Sequence, residues 1–188
     1  MMLERLSAYC TDEQWQALLA SYPELNGKLP PMLYEGLHQY GLEEVPGPGS
    51  NPVINAMFDA VAQATGEASL AEKSDDDPWC SLYLAFTALQ AHQQLPVHCL
   101  WAFGWLRLPG GTPVPISQAR MGDLAIYGRD EWDKTLGHGH IVVRLEQYAS
   151  GWGFIHGLGG NQTNGVNVQP KNMKNLVGVI RPNVREAT

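Results

Sequence analysis

The sequence predicts an α+β domain in which helices come first and an antiparallel sheet of about five strands follows. Two observations lead to this class. Up to about residue 121, apolar residues recur at helical spacing between capping residues, and from about residue 122 short β-prone runs alternate with Gly, Asn and Asp. The 188 residues are enough for one such domain with its own hydrophobic core.

The early helices are predicted from their start signals. Residues 11–14, Thr-Asp-Glu-Gln, form a capping box before the first apolar face. A weaker helix is predicted over residues 32–40. The pair Asn51 and Pro52 then supplies a cap and a proline at the first helical position, and this third helix should end near Gly66.

The stretch from Asp75 to Leu84 predicts the central helix. Three acidic residues and a proline lead into an apolar segment, so we expect the carboxylates to cap the free N–H groups of a helix over residues 79–94. Apolar residues on most of its sides predict that it is buried. Cys80 falls in its first turn, where the helix dipole favours a thiolate. A buried structural cysteine is the alternative interpretation.

The strands are predicted from five runs after the period changes. They cover residues 123–127, 140–145, 152–156, 166–168 and 176–180. Because the helices precede them, we expect a mainly antiparallel sheet packed on the central helix.

Composition argues against two classes of partner. The formal net charge is −7 and no basic cluster occurs, so no nucleic-acid partner is expected. No apolar run approaches membrane-spanning length, so no membrane partner is expected either. Three cysteines at long spacings predict free thiols in a reducing compartment. The first residues lack a secretory signal, so the protein should be made in the cytoplasm and carried out if it acts elsewhere.

A cysteine nucleophile needs a base, and histidines in the second half of the chain are the candidates. His140 begins the most convincing strand, although a structural histidine fits it equally well. His138 would share the face of His140 if the strand extended that far, but a loop is predicted there, with a role in substrate binding. The base needs an orienting partner, for which His156 and Asn161 both remain open. Trp79, next to Cys80, could line a cleft.

A zinc site is a weaker alternative for the same residues. Cys80, His138, His140 and His156 would make a plausible ligand set. The sequence contains neither a CxxC pair nor an HExxH helix. We therefore predict no metal and no cofactor.

Taken together, these motifs resemble the NlpC-type and CHAP-type cysteine peptidase superfamily, which has a papain-like fold. The resemblance is greatest to a CHAP-like branch of phage and bacterial cell-wall proteins, and it spans residues 43–182. It rests on six motifs in order: Asn51-Pro-Val-Ile54, Asp77-Pro-Trp-Cys80, Gly122-Asp123, Gly139-His140, Leu158-Gly-Gly-Asn-Gln162 and Gly178-Val-Ile-Arg-Pro182.

The resemblance implies roles for the candidate residues. Cys80 would be the nucleophile and His140 the base. The third residue would be Asn161 in the CHAP-like branch and His156 in NlpC-type enzymes. Residues 1–42 have no recognised counterpart, which predicts an N-terminal helical extension followed by a peptidase domain over residues 43–188. Two departures, Met121 in place of a proline and Val143-Arg144 in place of an aromatic, affect substrate details.

The function implied by the resemblance is cleavage of a peptide or amide bond in peptidoglycan. The protein would act in the periplasm or cell wall as a phage lysin or as an antibacterial effector of a type VI secretion system. Its partners would be the peptide stems, with an immunity protein or a secretion-system carrier. The alternatives are a cysteine-dependent acyltransferase, deamidase or peptidase acting on a protein, and a non-catalytic module with the same fold.

Overall fold

The computed structural model describes residues 4–47, 49–128, 136–148 and 153–183. The helices come first: α1 (Asp12–Ser21), α2 (Pro31–Leu37), α3 (Pro52–Thr65) and α4 (Cys80–Gln90). The strands follow: β1 (Thr112–Val114), β2 (Leu124–Gly128), β3 (Gly137–Gln147), β4 (Gly153–Gln162), β5 (Gly165–Asn172) and β6 (Leu176–Arg181). Short 3₁₀ helices connect them at Pro23–Asn26, Ala68–Glu72, Ala102–Arg107, Ile116–Gln118 and Met173–Asn175. The predicted α+β class is confirmed.

The strands form one sheet in the order β1-β6-β2-β3-β4-β5, with every neighbouring pair antiparallel. Five strands match predicted runs, although the run over residues 152–156 begins at a position outside the described residues. The edge strand β1 was predicted as loop. It contains Pro113, which is tolerated at an edge because β1 pairs only with β6.

Helix α4 packs between the sheet and helices α2 and α3. Its face toward the sheet belongs to a hydrophobic cluster that also contains Ile141 and Leu158 of the sheet. Trp15 and Leu33, from the region predicted as an extension, belong to the same cluster. Residues 4–42 therefore share the core of the later helices and strands, while the predicted domain boundary after residue 42 stays a prediction.

The start of α4 corrects the capping prediction. The helix begins at Cys80, one residue after the predicted start, its N-cap Trp79 makes no side-chain cap, and it ends at Gln90 instead of residue 94. Asp75 instead accepts hydrogen bonds from the backbone N–H groups of Val45, at 3.1 Å, and Asn51, at 2.8 Å. Asp77 accepts from Lys73 Nζ at 2.6 Å. The acidic run therefore ties a distant loop to the approach to α4 and does not cap the helix.

Asp75→Asn is expected to lower the free energy of unfolding by about 1–3 kcal/mol, because both backbone N–H groups donate to one carboxylate oxygen and a neutral amide oxygen is a weaker acceptor. Asp75 is 4% exposed. Burial acts to raise its pKa, but the hydrogen bonds from Asn51 and Val45 outweigh it, so the pKa is lowered. This contribution to stability is therefore present at neutral pH and is lost as the pH falls through the lowered pKa.

Urea unfolding of both proteins at pH 7 and pH 3 checks this expectation. The stability difference between wild type and Asp75→Asn should narrow at the lower pH. Asp76→Asn is the matched control, since Asp76 is exposed. Equal stability of Asp75→Asn and wild type at pH 7 would contradict the role assigned to the buried carboxylate.

Candidate active site

A cavity of about 760 Å³ opens where α4 begins beside the sheet. It brings together three residues that the sequence singled out: Cys80, His138 and Asn161. The remaining lining comes from the ends of β2 and β5, the start of β3 and the segments next to them: Pro78, Tyr127, Gly128, Leu136, Gly137, Pro170, Lys171, Asn172, Lys174 and Asn175.

Cys80 is the first residue of α4 and is 8% exposed. Its Sγ lies 3.9 Å from the carbonyl oxygen of Gly137 and 4.0 Å from the Ser81 hydroxyl. The pairing of β3 with β4 begins only at Ile141, so the sulfur lies against a part of β3 that β4 leaves unpaired. Burial raises the pKa of the thiol, although hydrogen bonds from Ser81 and the backbone act to lower it. A base must therefore take the thiol proton when the sulfur reacts.

His138 lies within β3, because the strand begins at Gly137, three residues earlier than predicted. A Cβ built on Gly139 would lie 2.7 Å from Leu84 Cδ1, so Gly139 faces α4. Successive residues of a strand point to opposite faces. His138 and His140 therefore share the other face of the sheet, and His138 reaches the cavity wall. The prediction of a loop at His138 was wrong.

Gln162 fixes the orientation of His138, a role that the sequence analysis missed. Its Nε2 donates to the carbonyl oxygens of Gly157, at 3.1 Å, and Asn167, at 2.7 Å. The amide therefore turns its Oε1 toward His138, whose Nε2 lies 3.1 Å away. Because this oxygen can only accept, His138 Nε2 must carry the proton.

The tautomer of His138 follows from this contact. Burial, and then the positive charge of Lys171, lower the pKa of His138 to about 4, so the ring is neutral at pH 7. A neutral ring with its proton on Nε2 keeps an unprotonated lone pair on Nδ1. The ring therefore has a fixed tautomer and an unprotonated Nδ1 that can accept a proton at pH 7, although the lowered pKa makes this nitrogen a weaker base than an ordinary imidazole.

Gln162→Leu is expected to remove the Nε2–H tautomer preference of His138 and to cost about 1–3 kcal/mol of stability, because the two carbonyl oxygens lose a donor. Proton-detected ¹⁵N NMR of the imidazole nitrogens checks the tautomer at pH 7, and a titration of wild type should show His138 protonating near pH 4. Gln169→Ala is the comparison variant, since the Gln169 side chain donates to Thr163 and not to Gln162. A wild-type His138 that titrates near pH 6.5 would contradict this account.

His140, the predicted base, is completely buried and does not line the cavity. Its ring lies edge-on to Tyr127, with ring centres 5.1 Å apart, and 6.0 Å from the ring centre of His138. In the part of the chain that the structure describes, neither ring nitrogen has a hydrogen-bond partner. Burial, and then the charges of His138 and Lys171, hold its pKa well below the ordinary value.

The two orienting candidates lie in different places. His156 hydrogen-bonds to the Tyr22 hydroxyl at 3.0 Å and to Glu146 at 3.1 Å, and it does not line the cavity. Asn161 lines the cavity at an irregularity of β4 and has a φ of 53°. Of the two candidates, the structure therefore brings only Asn161 to the wall that Cys80 and His138 share.

Trp79 is fully buried and cannot offer its ring to a substrate in the cavity. Its indole Nε1 donates to Glu44 at 2.6 Å. A Cβ built on Gly160 would lie 2.7 Å from the Trp79 ring, so this glycine lets β4 pass close to the indole. Trp79 supports the start of α4 from inside the protein and does not line the cleft as the sequence suggested.

The zinc alternative receives no support from the geometry. Within residues 4–47, 49–128, 136–148 and 153–183, no group of three or more His, Cys, Asp or Glu side chains is arranged to hold a metal ion. The three cysteines are free and buried.

In the part of the chain that the structure describes, no helix is both long enough and apolar enough to cross a bilayer.

Comparisons with protein-family models, with curated proteins and with solved structures find no match to this chain.

Proposed function

We propose that this protein is a cysteine hydrolase that cleaves a peptide or amide bond of peptidoglycan. The observation that carries the chemistry is the shared cavity, where Cys80 begins α4 and His138 is held as a neutral base by Gln162. The substrate class comes from the resemblance of the motifs to cell-wall cysteine peptidases.

The proposed reaction is an acyl transfer through a thioester. The imidazole takes the proton of the Cys80 thiol, and the sulfur attacks the carbonyl carbon and forms the S–C bond. The imidazolium then gives this proton to the nitrogen of the leaving amine as the C–N bond breaks. A water molecule, deprotonated by the same imidazole, attacks the thioester, and the product leaves as a carboxylic acid while the thiol is regenerated.

The first turn of α4 can hold the negative oxygen of the tetrahedral intermediate. The first N–H groups of a helix have no partner inside the helix, and no side chain caps α4. The N–H groups of this turn lie beside Cys80 and could donate to the oxyanion once the sulfur is bonded to the substrate carbon. Asn161, on the same wall, carries an amide that can serve as a second donor.

The base in this proposal is His138, whereas the resemblance implies His140. Access supports His138, because it lines the cavity and His140 is fully buried. The contact with Gln162 also supports it, since an orienting acceptor on one ring nitrogen leaves the other free to act as a base. His156 has no role in the proposed reaction, and its own hydrogen bonds join β4 to the N-terminal region.

Digestion of purified peptidoglycan by wild type, Cys80→Ala and Cys99→Ala tests the proposed function, with products identified by mass spectrometry. Wild type and Cys99→Ala should release the same muropeptides, and Cys80→Ala should release none, because it lacks the nucleophile. Cys99 is the matched control since it is also buried but does not line the cavity. The masses of the products identify the bond that is cleaved.

Other results would redirect the proposal. If wild type released no fragment but modified a protein, the same thioester chemistry would serve an acyltransferase, deamidase or protein peptidase. Equal effects of wild type and Cys80→Ala in cells would indicate a non-catalytic module.

A further inference from the structure

Lys171 stands on the wall of the cavity that contains Cys80 and His138. It lies on β5 directly opposite Ile155 of β4, and cross-strand neighbours in an antiparallel sheet point to the same face. Ile155 packs in a cluster with Tyr127, whose ring lies against His140. Lys171 therefore shares the sheet face of the two histidines.

Among the residues that the structure describes, no carboxylate lies on the cavity wall beside Lys171. Within the same part of the chain, Lys171 forms no ion pair. Other basic side chains of this acidic protein do pair with carboxylates: Arg5 with Asp12, Lys73 with Asp77, Arg144 with Glu24 and Arg181 with Asp123. A half-buried cation that no described carboxylate contacts has lost part of its hydration, which an anionic ligand would offset.

The polar groups around Lys171 suit a carboxylate. Asn161 and Asn172 carry amides on the same cavity wall and are able to donate hydrogen bonds. Lys171 lines the same cavity as Cys80 and His138, and its charge contributes to the lowered pKa of both histidines. A ligand carboxylate bound here would sit close to the nucleophile.

We propose that Lys171 binds a carboxylate of the ligand that occupies the Cys80 cavity. This inference rests on the proposed function: if the ligand is the substrate of a peptidoglycan hydrolase, the carboxylate contact with Lys171 requires a peptide that carries a free carboxylate near the scissile carbonyl. Peptide stems with acidic residues and free carboxyl termini belong to this class, and neutral or fully amidated peptides do not.

Alkylation of Cys80 by iodoacetate and by iodoacetamide tests the carboxylate site without a known substrate. In both reactions the sulfur displaces iodide and forms an S–C bond, but only iodoacetate carries a carboxylate. The rate constants at Cys80 are measured by peptide mass mapping at one pH and low salt. The ratio of the iodoacetate rate to the iodoacetamide rate should fall about tenfold in Lys171→Met, since only the anionic reagent loses its attraction to the cavity. Lys171→Arg should keep most of the ratio.

Lys28→Met is the matched control, because it removes the same charge from a residue that lines a different cavity. An unchanged ratio in Lys171→Met would overturn the proposal. A parallel slowing of both reagents would overturn it as well, because Lys171 would then act on the thiol and not on a ligand carboxylate.

The substrate class has its own test. Lys171→Met should raise KM for a stem peptide with free carboxylates far more than for the amidated peptide, with little change in kcat. Equal KM changes for the two peptides would overturn this part of the proposal. Wild type could release no peptidoglycan fragment while the alkylation ratio still fell in Lys171→Met. This result would contradict the proposed peptidoglycan hydrolase and would still support a carboxylate-binding site at Lys171.

Discussion

His138→Ala is expected to lower kcat/KM for a soluble muropeptide by about 10²–10⁴-fold, the range that a positioned acid–base residue supplies. His140→Leu is expected to lower it by less than about tenfold and to keep or raise the free energy of unfolding, because it removes buried nitrogens that lack partners. Steady-state kinetics and thermal unfolding of the two variants check both expectations.

The reverse result would restore the base that the resemblance implies. If His140→Leu lost activity while His138→Ala kept it, the His140 ring would have to reach Cys80 in the substrate complex. His138→Gln is a useful third variant, since it keeps a polar side chain near Gln162 without a basic ring nitrogen. Its activity should stay as low as that of His138→Ala.

Gly157→Ala is expected to destabilise the protein by about 3 kcal/mol or more, because it forces extra volume into a packed interior. A Cβ at this position would lie 2.2–2.3 Å from three ring atoms of His140. Both residues lie in central strands, and His140 has no room to retreat because it is fully buried. For a domain of this size the melting temperature should fall by roughly 6–12 °C, at about 2–4 °C per kcal/mol.

A double variant separates this clash from other effects of the new methyl group. In the His140→Ala background, Gly157→Ala should cost less than half of the free energy of unfolding that it costs in wild type, because the ring that the new methyl group would contact is gone. Gly27→Ala is the control, since its Cβ would meet nothing closer than 3.4 Å. Additive losses in the double variant would contradict the contact between Gly157 and His140.

Local patterns in the sequence predicted the bounds of the helices well, but they did not predict which groups the polar side chains bind. The cap Asn51, the helix-starting Pro52 and the final Gly66 gave the bounds of α3 correctly, because each acts on backbone groups within a few residues. The acidic run before α4 misled the prediction of a cap. Asp75 accepts its hydrogen bonds from a loop some 25 residues away along the chain, and no local pattern predicts that contact.

The sequence predicted the position of Cys80 and the presence of the strand that it faces. Cys80 was placed correctly at the start of α4 because proline and acidic residues mark helix starts. The role of Gln162 was missed because it depends on an irregular register of β4 and on two carbonyl acceptors from separate strand positions. No sequence pattern indicates the contact of Gln162 with His138. Gly157, opposite Val142, indicates only that β4 leaves space for a ring on the neighbouring strand, and that space is taken by His140.

The tight turn after Gln162 contains two residues with strained backbones beside the side chain that orients His138. Thr163 and Asn164 both have left-handed backbones, with φ of 52° and 60°, and such a conformation costs a residue other than glycine roughly 1–2 kcal/mol. A branched threonine suits it poorly, so a laboratory selection for heat resistance alone would favour Gly or Asn at this position. That change lies beside the amide that orients His138. Variants at this position chosen for a higher melting temperature should therefore also be checked for the contact between Gln162 and His138.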